Sequence, residues 1–180
     1  MDQKKEDYQD CPKAAQFERE IRMIANRDYE EFLCLTGRYP LTESGEIMLV
    51  KSGRNKAISD YAKHFEMSTE AQIELVKTAP QGLLLEYLSE TEMNSEADLA
   101  LIESQNWEAV RVYIDGSTLG EQAEIKFLDS GQDKLVERYL ATNRLSRKAV
   151  EKLMAMHKDN YWRVYVNSWG IDERVGSIKV

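Results

Sequence analysis

Residues 41–66 read LTESGEIMLVKSGRNKAISDYAKHFE, and residues 67–92 read MSTEAQIELVKTAPQGLLLEYLSETE. The same 26-residue pattern continues without insertion or deletion through three more copies, which begin at Met93, Leu119 and Leu145. Position 21 is a tyrosine in every copy: Tyr61, Tyr87, Tyr113, Tyr139 and Tyr165. Self-similarity with a fixed period of roughly 20 to 50 residues predicts a repeat protein, in which each copy buries its apolar face against its neighbours.

The pattern of residues within each copy predicts two helices joined by a turn. Position two is an N-capping residue in four copies, namely Thr42, Ser68, Asn94 and Ser146. Position 13 holds Gly53 in the first copy and Gly131 in the fourth, which suits a left-handed residue at a helix end. In the second copy Pro80 stands at position 14, where a second helix can begin. The chain is therefore predicted to be all-α, a right-handed α-α superhelix (solenoid) of about six 26-residue helical hairpins.

The sixth hairpin is a degenerate copy that precedes the other five. Ile21, Met23 and Ile24 fall on core positions of its first helix, Phe32 falls on a core position of its second, and Leu35 takes the tyrosine position. Terminal repeats are atypical because one of their faces meets water. The predicted organisation is a polar N-terminal segment (1–14), a solenoid (15–170) with a degenerate cap (15–40) and five full repeats (41–170), and a C-terminal tail (171–180).

The conserved spacing of the tyrosines also predicts their environment. We expect each ring to be half-buried in the stack, with its hydroxyl at the rim, where it finds a hydrogen-bond partner. Position five is small in every copy, Gly45 in the first and alanine in the others, so that another helix can approach closely there.

The composition and the motifs of the chain limit the classes of function that we expect. The net charge of −8 disfavours phosphate backbones and anionic membranes as partners. The two cysteines, Cys11 and Cys34, and the two histidines, His64 and His157, have no metal-ligand spacing. No phosphate loop, nucleophile elbow or paired-carboxylate motif is present, so we expect neither an enzyme nor a bound cofactor. The charged N-terminus has no apolar signal region, which predicts a cytoplasmic protein.

The copies resemble the short two-helix units of the α-solenoid superfamily and are similar in kind to HEAT, armadillo and leucine-rich-repeat-variant proteins. The resemblance covers residues 15–170 and rests on the period and the hairpin pattern. It implies a non-enzymatic adaptor, scaffold or inhibitor that binds a protein or peptide along an extended face. Some leucine-rich-repeat-variant proteins hold an iron–sulfur centre on a cysteine cluster, and two cysteines do not suffice for that cofactor here.

A partner is expected on the exposed positions of the second helices, because these positions vary in character while the core stripe is fixed. The candidate residues are Leu85, Glu86, Trp107, Arg111, Val112, Lys134, Arg138, Arg163 and Val164. Trp107 is the strongest single anchor by residue type, although it could equally cover a hairpin turn. Residues 67–118 carry two basic and ten acidic side chains, so the partner could be basic.

Two alternatives use other features of the sequence. The fifth copy carries five basic and two acidic residues, places Arg147 and Lys148 in the first turn of a helix, and concentrates Tyr161, Trp162 and Trp169. Basic residues interleaved with aromatics can bind single-stranded nucleic acid, and they can also close the end of a repeat core. Self-assembly through exposed solenoid ends is a third possibility.

Overall fold

A computed structural model describes residues 13–26 and 40–170. These residues contain eleven helices and no strand, as the all-α prediction requires. The helices are α1 (Lys13–Asn26), α2 (Glu43–Lys51), α3 (Asn55–Ala62), α4 (Thr69–Thr78), α5 (Gln81–Glu90), α6 (Ser95–Glu103), α7 (Trp107–Ile114), α8 (Glu121–Leu128), α9 (Asp133–Thr142), α10 (Arg147–Ala155) and α11 (Asp159–Trp169).

The predicted N-caps begin the first helix of each copy. The side-chain oxygens of Thr42, Ser68 and Ser146 each accept a hydrogen bond from the backbone N–H three residues later. Asn94 caps α6 by position but makes no side-chain capping bond, and Gly120 occupies the same position before α8 without a side chain. The starts of the first helices are therefore readable from the sequence.

The turn between the two helices of a copy uses a left-handed residue. Gly53 and Gly131 have positive φ angles of 65° and 74°, as predicted, and Gln105 and His157 adopt the same conformation with φ of 56° and 51°. Ala79 differs because it precedes Pro80, which excludes helical geometry before it, and its φ of −67° and ψ of 143° are extended.

The chain divides into two compact units, Met1–Tyr87 and Leu88–Val180. In the N-terminal unit the first helices pack in sequence, α1 on α2 and α2 on α4. The C-terminal unit repeats this arrangement with α6 on α8 and α8 on α10, while its second helices α9 and α11 also pack together. Within each unit, the first helices of successive copies thus pack against one another.

The tyrosines at position 21 lie deeper than the sequence predicts. Tyr61, Tyr113 and Tyr139 are each 1% exposed, and Tyr87 and Tyr165 are 5% and 4% exposed. The prediction of half-buried rings with hydroxyls at the rim is therefore wrong. For Tyr61 and Tyr139 the physical reason is a glutamate inside the core, which accepts from the hydroxyl and allows it to be buried with the ring.

The degenerate N-terminal copy is described only in its first helix. Met23 and Ile24 are buried and Ile21 is half-buried, in agreement with their predicted core positions. The predicted positions of Phe32 and Leu35, the two cysteines, residues 1–12 and residues 171–180 lie outside the described part of the chain.

Candidate functional site

A row of buried polar residues occupies position six of successive copies. These residues are Glu20 in the degenerate copy and Glu46, Gln72, Asp98 and Glu124 in the first four full copies, and none is more than 4% exposed. They are all the buried polar side chains of the described residues. Buried carboxylates are rare unless they are fully bonded, so their partners decide their role.

Glu46 and Glu124 make the same set of hydrogen bonds. Glu46 accepts from the Tyr61 hydroxyl of its own copy at 2.6 Å and from the Ser68 N–H of the next copy at 2.8 Å. Glu124 accepts from the Tyr139 hydroxyl at 3.1 Å and from the Ser146 N–H at 2.9 Å. Each carboxylate therefore joins the tyrosine of one copy to the first helix of the next.

The tyrosine hydroxyls complete this network by accepting a third bond. The N–H of Leu41 donates to Tyr61 at 3.1 Å, and the N–H of Leu119 donates to Tyr139 at 2.9 Å. Burial, with the adjacent glutamate, raises the pKa of both tyrosines well above the ordinary value, so the hydroxyls remain donors. These hydrogen bonds connect successive copies, and their donors and acceptors are paired with one another inside the protein.

Asp98 departs from this pattern because its side chain is one methylene shorter. Its Oδ2 accepts from the Gly120 N–H at 2.7 Å, while its Oδ1 is buried without a hydrogen bond of ordinary geometry. Burial raises the pKa of Asp98 to about 6, and the Gly120 N–H and the nearby Tyr113 hydroxyl offset this only in part.

The candidate partner-binding residues lie in both units. Leu85 and Glu86 belong to the N-terminal unit, where Leu85 is half-buried and Glu86 accepts from the Ser59 hydroxyl at 2.8 Å. The C-terminal unit holds the other seven: Trp107, Val112 and Val164 are half-buried, and Arg111, Lys134, Arg138 and Arg163 are exposed. Arg138 is bonded to Asp115 at 2.7 Å. Among the described residues Arg111, Lys134 and Arg163 form no ion pair.

Trp107 lines a cleft of about 580 Å³ between the hairpin turns of the third and fourth copies. We name this the turn cleft. Ile102 and Trp107 supply its apolar surface, and Gln105 and Gln132 supply amides. Lys126 lines it as well, and its amine lies 3.9 Å from a Glu103 carboxylate oxygen.

Val112 lines a second cleft, of about 440 Å³, at the opposite end of the helices of the C-terminal unit. We name it the connection cleft because the links that follow α5 and α7 form its walls. Glu90, Glu92 and Asp115 line it, and no basic side chain does. Arg111, Lys134, Arg163 and Val164 line neither cleft.

The basic residues of the fifth copy are largely neutralised. Each of four basic side chains has a nitrogen near a carboxylate oxygen. The distances are 2.7 Å for Lys148–Glu121, 2.7 Å for Lys152–Asp129, 3.3 Å for Lys158–Asp133 and 3.0 Å for Arg147–Glu151. These carboxylates explain why two basic residues are tolerated in the first turn of α10. Of the aromatics, Tyr161 is fully buried, whereas Trp162 and Trp169 are half-buried and Trp169 donates to the Leu140 carbonyl oxygen.

Within residues 13–26 and 40–170, no cluster of three or more His, Cys, Asp and Glu side chains could hold a metal ion. None of the described helices is both long enough and apolar enough to cross a membrane. Comparison of the chain with protein-family models, with curated proteins and with solved structures gives no match.

Proposed function

We propose that the chain is a non-enzymatic α-solenoid of six helical hairpins that binds a protein or peptide, acting as an adaptor, scaffold or inhibitor. The observation that carries this proposal is the turn cleft. A half-buried tryptophan in a concave surface is the arrangement typical of an interface anchor, because a large ring gains much from further desolvation.

The lining of the turn cleft suits a peptide better than an isolated apolar ligand. Trp107 and Ile102 can cover an apolar side chain, while the amides of Gln105 and Gln132 offer both donors and acceptors to a peptide backbone. Its volume of about 580 Å³ lies within the range of roughly 300 to 1,000 Å³ that is common for binding pockets.

The nucleic-acid alternative gains no support from the fifth copy. Four of its five basic residues face carboxylates, and Arg163 is the remaining one. Counterion release requires cations that are free to contact phosphates, so a paired set contributes little to such binding.

The test is selection of a displayed random-peptide library on the purified protein. We expect the selected peptides to lose roughly 30-fold in affinity for Trp107→Ala, the effect of an anchor worth about 2 kcal/mol. The matched control is Trp162→Ala, which removes another half-buried tryptophan far along the sequence and should leave affinity unchanged.

Circular dichroism of both variants must match that of the parent protein for this comparison to hold. If no peptide is enriched, recognition of a linear peptide segment by this chain is overturned. If peptides are enriched but bind Trp107→Ala as tightly as the parent, the turn cleft is not the binding site.

A further inference from the structure

The 26-residue period allows the connection cleft to be compared with its equivalent two copies later. Leu88, Glu92 and Ser117 of the cleft correspond to Leu140, Arg144 and Trp169, each 52 residues further along the chain. Both sets lie in the C-terminal unit. The later set therefore shows what this place in the repeat can accommodate.

In the later copies the place is filled by an aromatic ring and a cation. Trp169 donates from its Nε1 atom to the Leu140 carbonyl oxygen at 3.0 Å. The Arg144 guanidinium lies over the Trp169 ring, 5.0 Å from its centroid. The cation–π geometry and the hydrogen bond to the backbone together fix the ring.

In the connection cleft the chain provides neither group. In the sequence register Ser117 takes the position of the tryptophan, three residues beyond the end of α7 at Ile114, and Glu92 takes the position of the arginine. Glu90 and Glu92 are exposed and form no hydrogen bond or ion pair with any described residue. The sign of the charge is thus reversed at these two positions, and no described basic side chain pairs with Glu90 or Glu92.

The half-buried Val112 adds an apolar wall to the same cleft. At the equivalent position one copy later, Arg138 reaches Asp115 at 2.7 Å, so this carboxylate of the cleft is already paired. Val112 cannot form such a bridge, so the cleft keeps a volume of about 440 Å³.

We propose that the connection cleft binds an aromatic side chain flanked by lysine or arginine in an exposed segment of a partner protein. The ring takes the place that Trp169 occupies two copies later, beside the Leu88 carbonyl and Val112. The flanking cations face Glu90 and Glu92, which supply charge complementarity and register. The inference shares the protein-binding class of the proposed function, but it does not depend on the turn cleft.

The experiment is an NMR titration of the ¹⁵N-labelled full chain with the peptide acetyl-Gly-Lys-Trp-Lys-Gly-amide. We expect shifts of the Val112, Gly116 and Ser117 amides and an affinity that falls at least fivefold between low and moderate salt. Peptides with alanine in place of tryptophan, or with glutamate in place of both lysines, should bind at least tenfold more weakly.

Two protein variants copy the later repeat into the cleft. Ser117→Trp fills it with a ring from the chain itself, and Glu92→Arg supplies the internal cation. Each substitution should weaken the binding of the peptide at least tenfold. Glu103→Arg is the control, because it makes the same charge change at the turn cleft and should weaken binding less than threefold.

Undiminished binding by Glu92→Arg, or by a Ser117→Trp variant with the circular dichroism of the parent, would overturn the inference. Binding that is lost instead in Trp107→Ala would also overturn it, while agreeing with the proposed function. Absence of any shift with the parent protein would overturn the inference and leave the turn cleft to be judged by its own selection.

Discussion

The link from the third copy to the fourth differs from the link between the fourth and the fifth by one methylene group. Glu124 accepts from both the Tyr139 hydroxyl and the Ser146 N–H, whereas Asp98 accepts from the Gly120 N–H and its Oδ1 atom has no hydrogen bond of ordinary geometry. We call each of these contacts between successive copies a joint. The same packing of helices therefore forms with a fully hydrogen-bonded carboxylate at one joint and a partly hydrogen-bonded carboxylate at the other. The apolar packing therefore determines the fold, and the hydrogen bonds of the buried carboxylates change the stability of each joint.

The shorter acid is matched by a change in the residue that it binds. A Cβ atom on Gly120 would lie 2.8 Å from the Ser95 Cβ atom, closer than such atoms approach in proteins. In the joint with Glu124, the same position is Ser146, whose side chain caps α10. Asp98 and Gly120 thus form a compact version of the joint, and the two substitutions depend on each other.

The largest expected effect comes from removing a tyrosine ring, which both joints contain. Tyr139→Ala should lower the free energy of unfolding by about 3 to 5 kcal/mol, because the ring is fully buried. Tyr113→Ala should cost a similar amount. Urea denaturation followed by circular dichroism gives both values, and a cost below about 1 kcal/mol for either would contradict the described packing.

The ionisation of Asp98 should produce the next largest effect. Its pKa of about 6 in the folded protein lies above the ordinary value of 3.8, because burial, Glu92 and Glu96 disfavour the charge. The contribution of this group to stability is thus fully present below about pH 3.8 and is lost as pH rises through 6. The shift corresponds to about 2 to 3 kcal/mol.

Asp98→Asn isolates this effect from the other carboxylates. An amide is tolerated at this position of the repeat, since Gln72 is buried there and donates to the Met67 carbonyl at 3.2 Å. We expect the variant to gain stability relative to the parent as pH rises from 4 to 7, by about 2 kcal/mol. A difference between the two proteins that stays constant across this range would refute the assignment.

Gly120→Ala should have a somewhat smaller effect, specific to the compact joint. The new methyl group meets Ser95, and we expect a loss of about 1 to 2 kcal/mol. Gly82→Ala is the matched control: its Cβ would meet no atom within 4 Å, and it lies in a helix, so it should be neutral or slightly stabilising. Combining Gly120→Ala with Ser95→Gly should recover part of the loss.

The smallest effect is expected for the ion pair that joins the same two copies at the surface. Arg138 and Asp115 lie 2.7 Å apart, but their side chains are 51% and 36% exposed. Arg138→Ala should therefore cost less than about 1 kcal/mol, with a further decrease at high salt. A loss as large as that of Gly120→Ala would mean that the surface pair contributes as much as the buried joint.

The sequence predicts the helical hairpins, the capping residues Thr42, Ser68 and Ser146, and the turns at Gly53 and Gly131, because these depend on local chemistry. The buried carboxylates were missed, since a glutamate in an amphipathic helix is usually exposed. The signal that could have found them is a polar residue recurring at position six together with an invariant tyrosine fifteen residues later.

The two clefts could not be predicted from the sequence for a different reason. Residue type predicts Trp107 as an anchor, but the other lining residues Gln105 and Gln132 belong to different copies and come together only through the packing of successive copies. Likewise, the charge of residues 67–118 is visible in the sequence, whereas the gathering of Glu90, Glu92 and Asp115 around Val112 is not.

The hydrogen bond that the Ser146 N–H donates to Glu124 gives the array a direction. Each glutamate of this kind belongs to one copy and accepts from the backbone of the next, so a copy presents a backbone donor on its N-terminal side and a buried carboxylate on its C-terminal side. A chain cut after Arg144 would keep the Glu124 carboxylate but lose its backbone donor. In an array shortened in this way, Glu124→Val would remove the buried charge, and Val150 shows that position six of the repeat accepts valine.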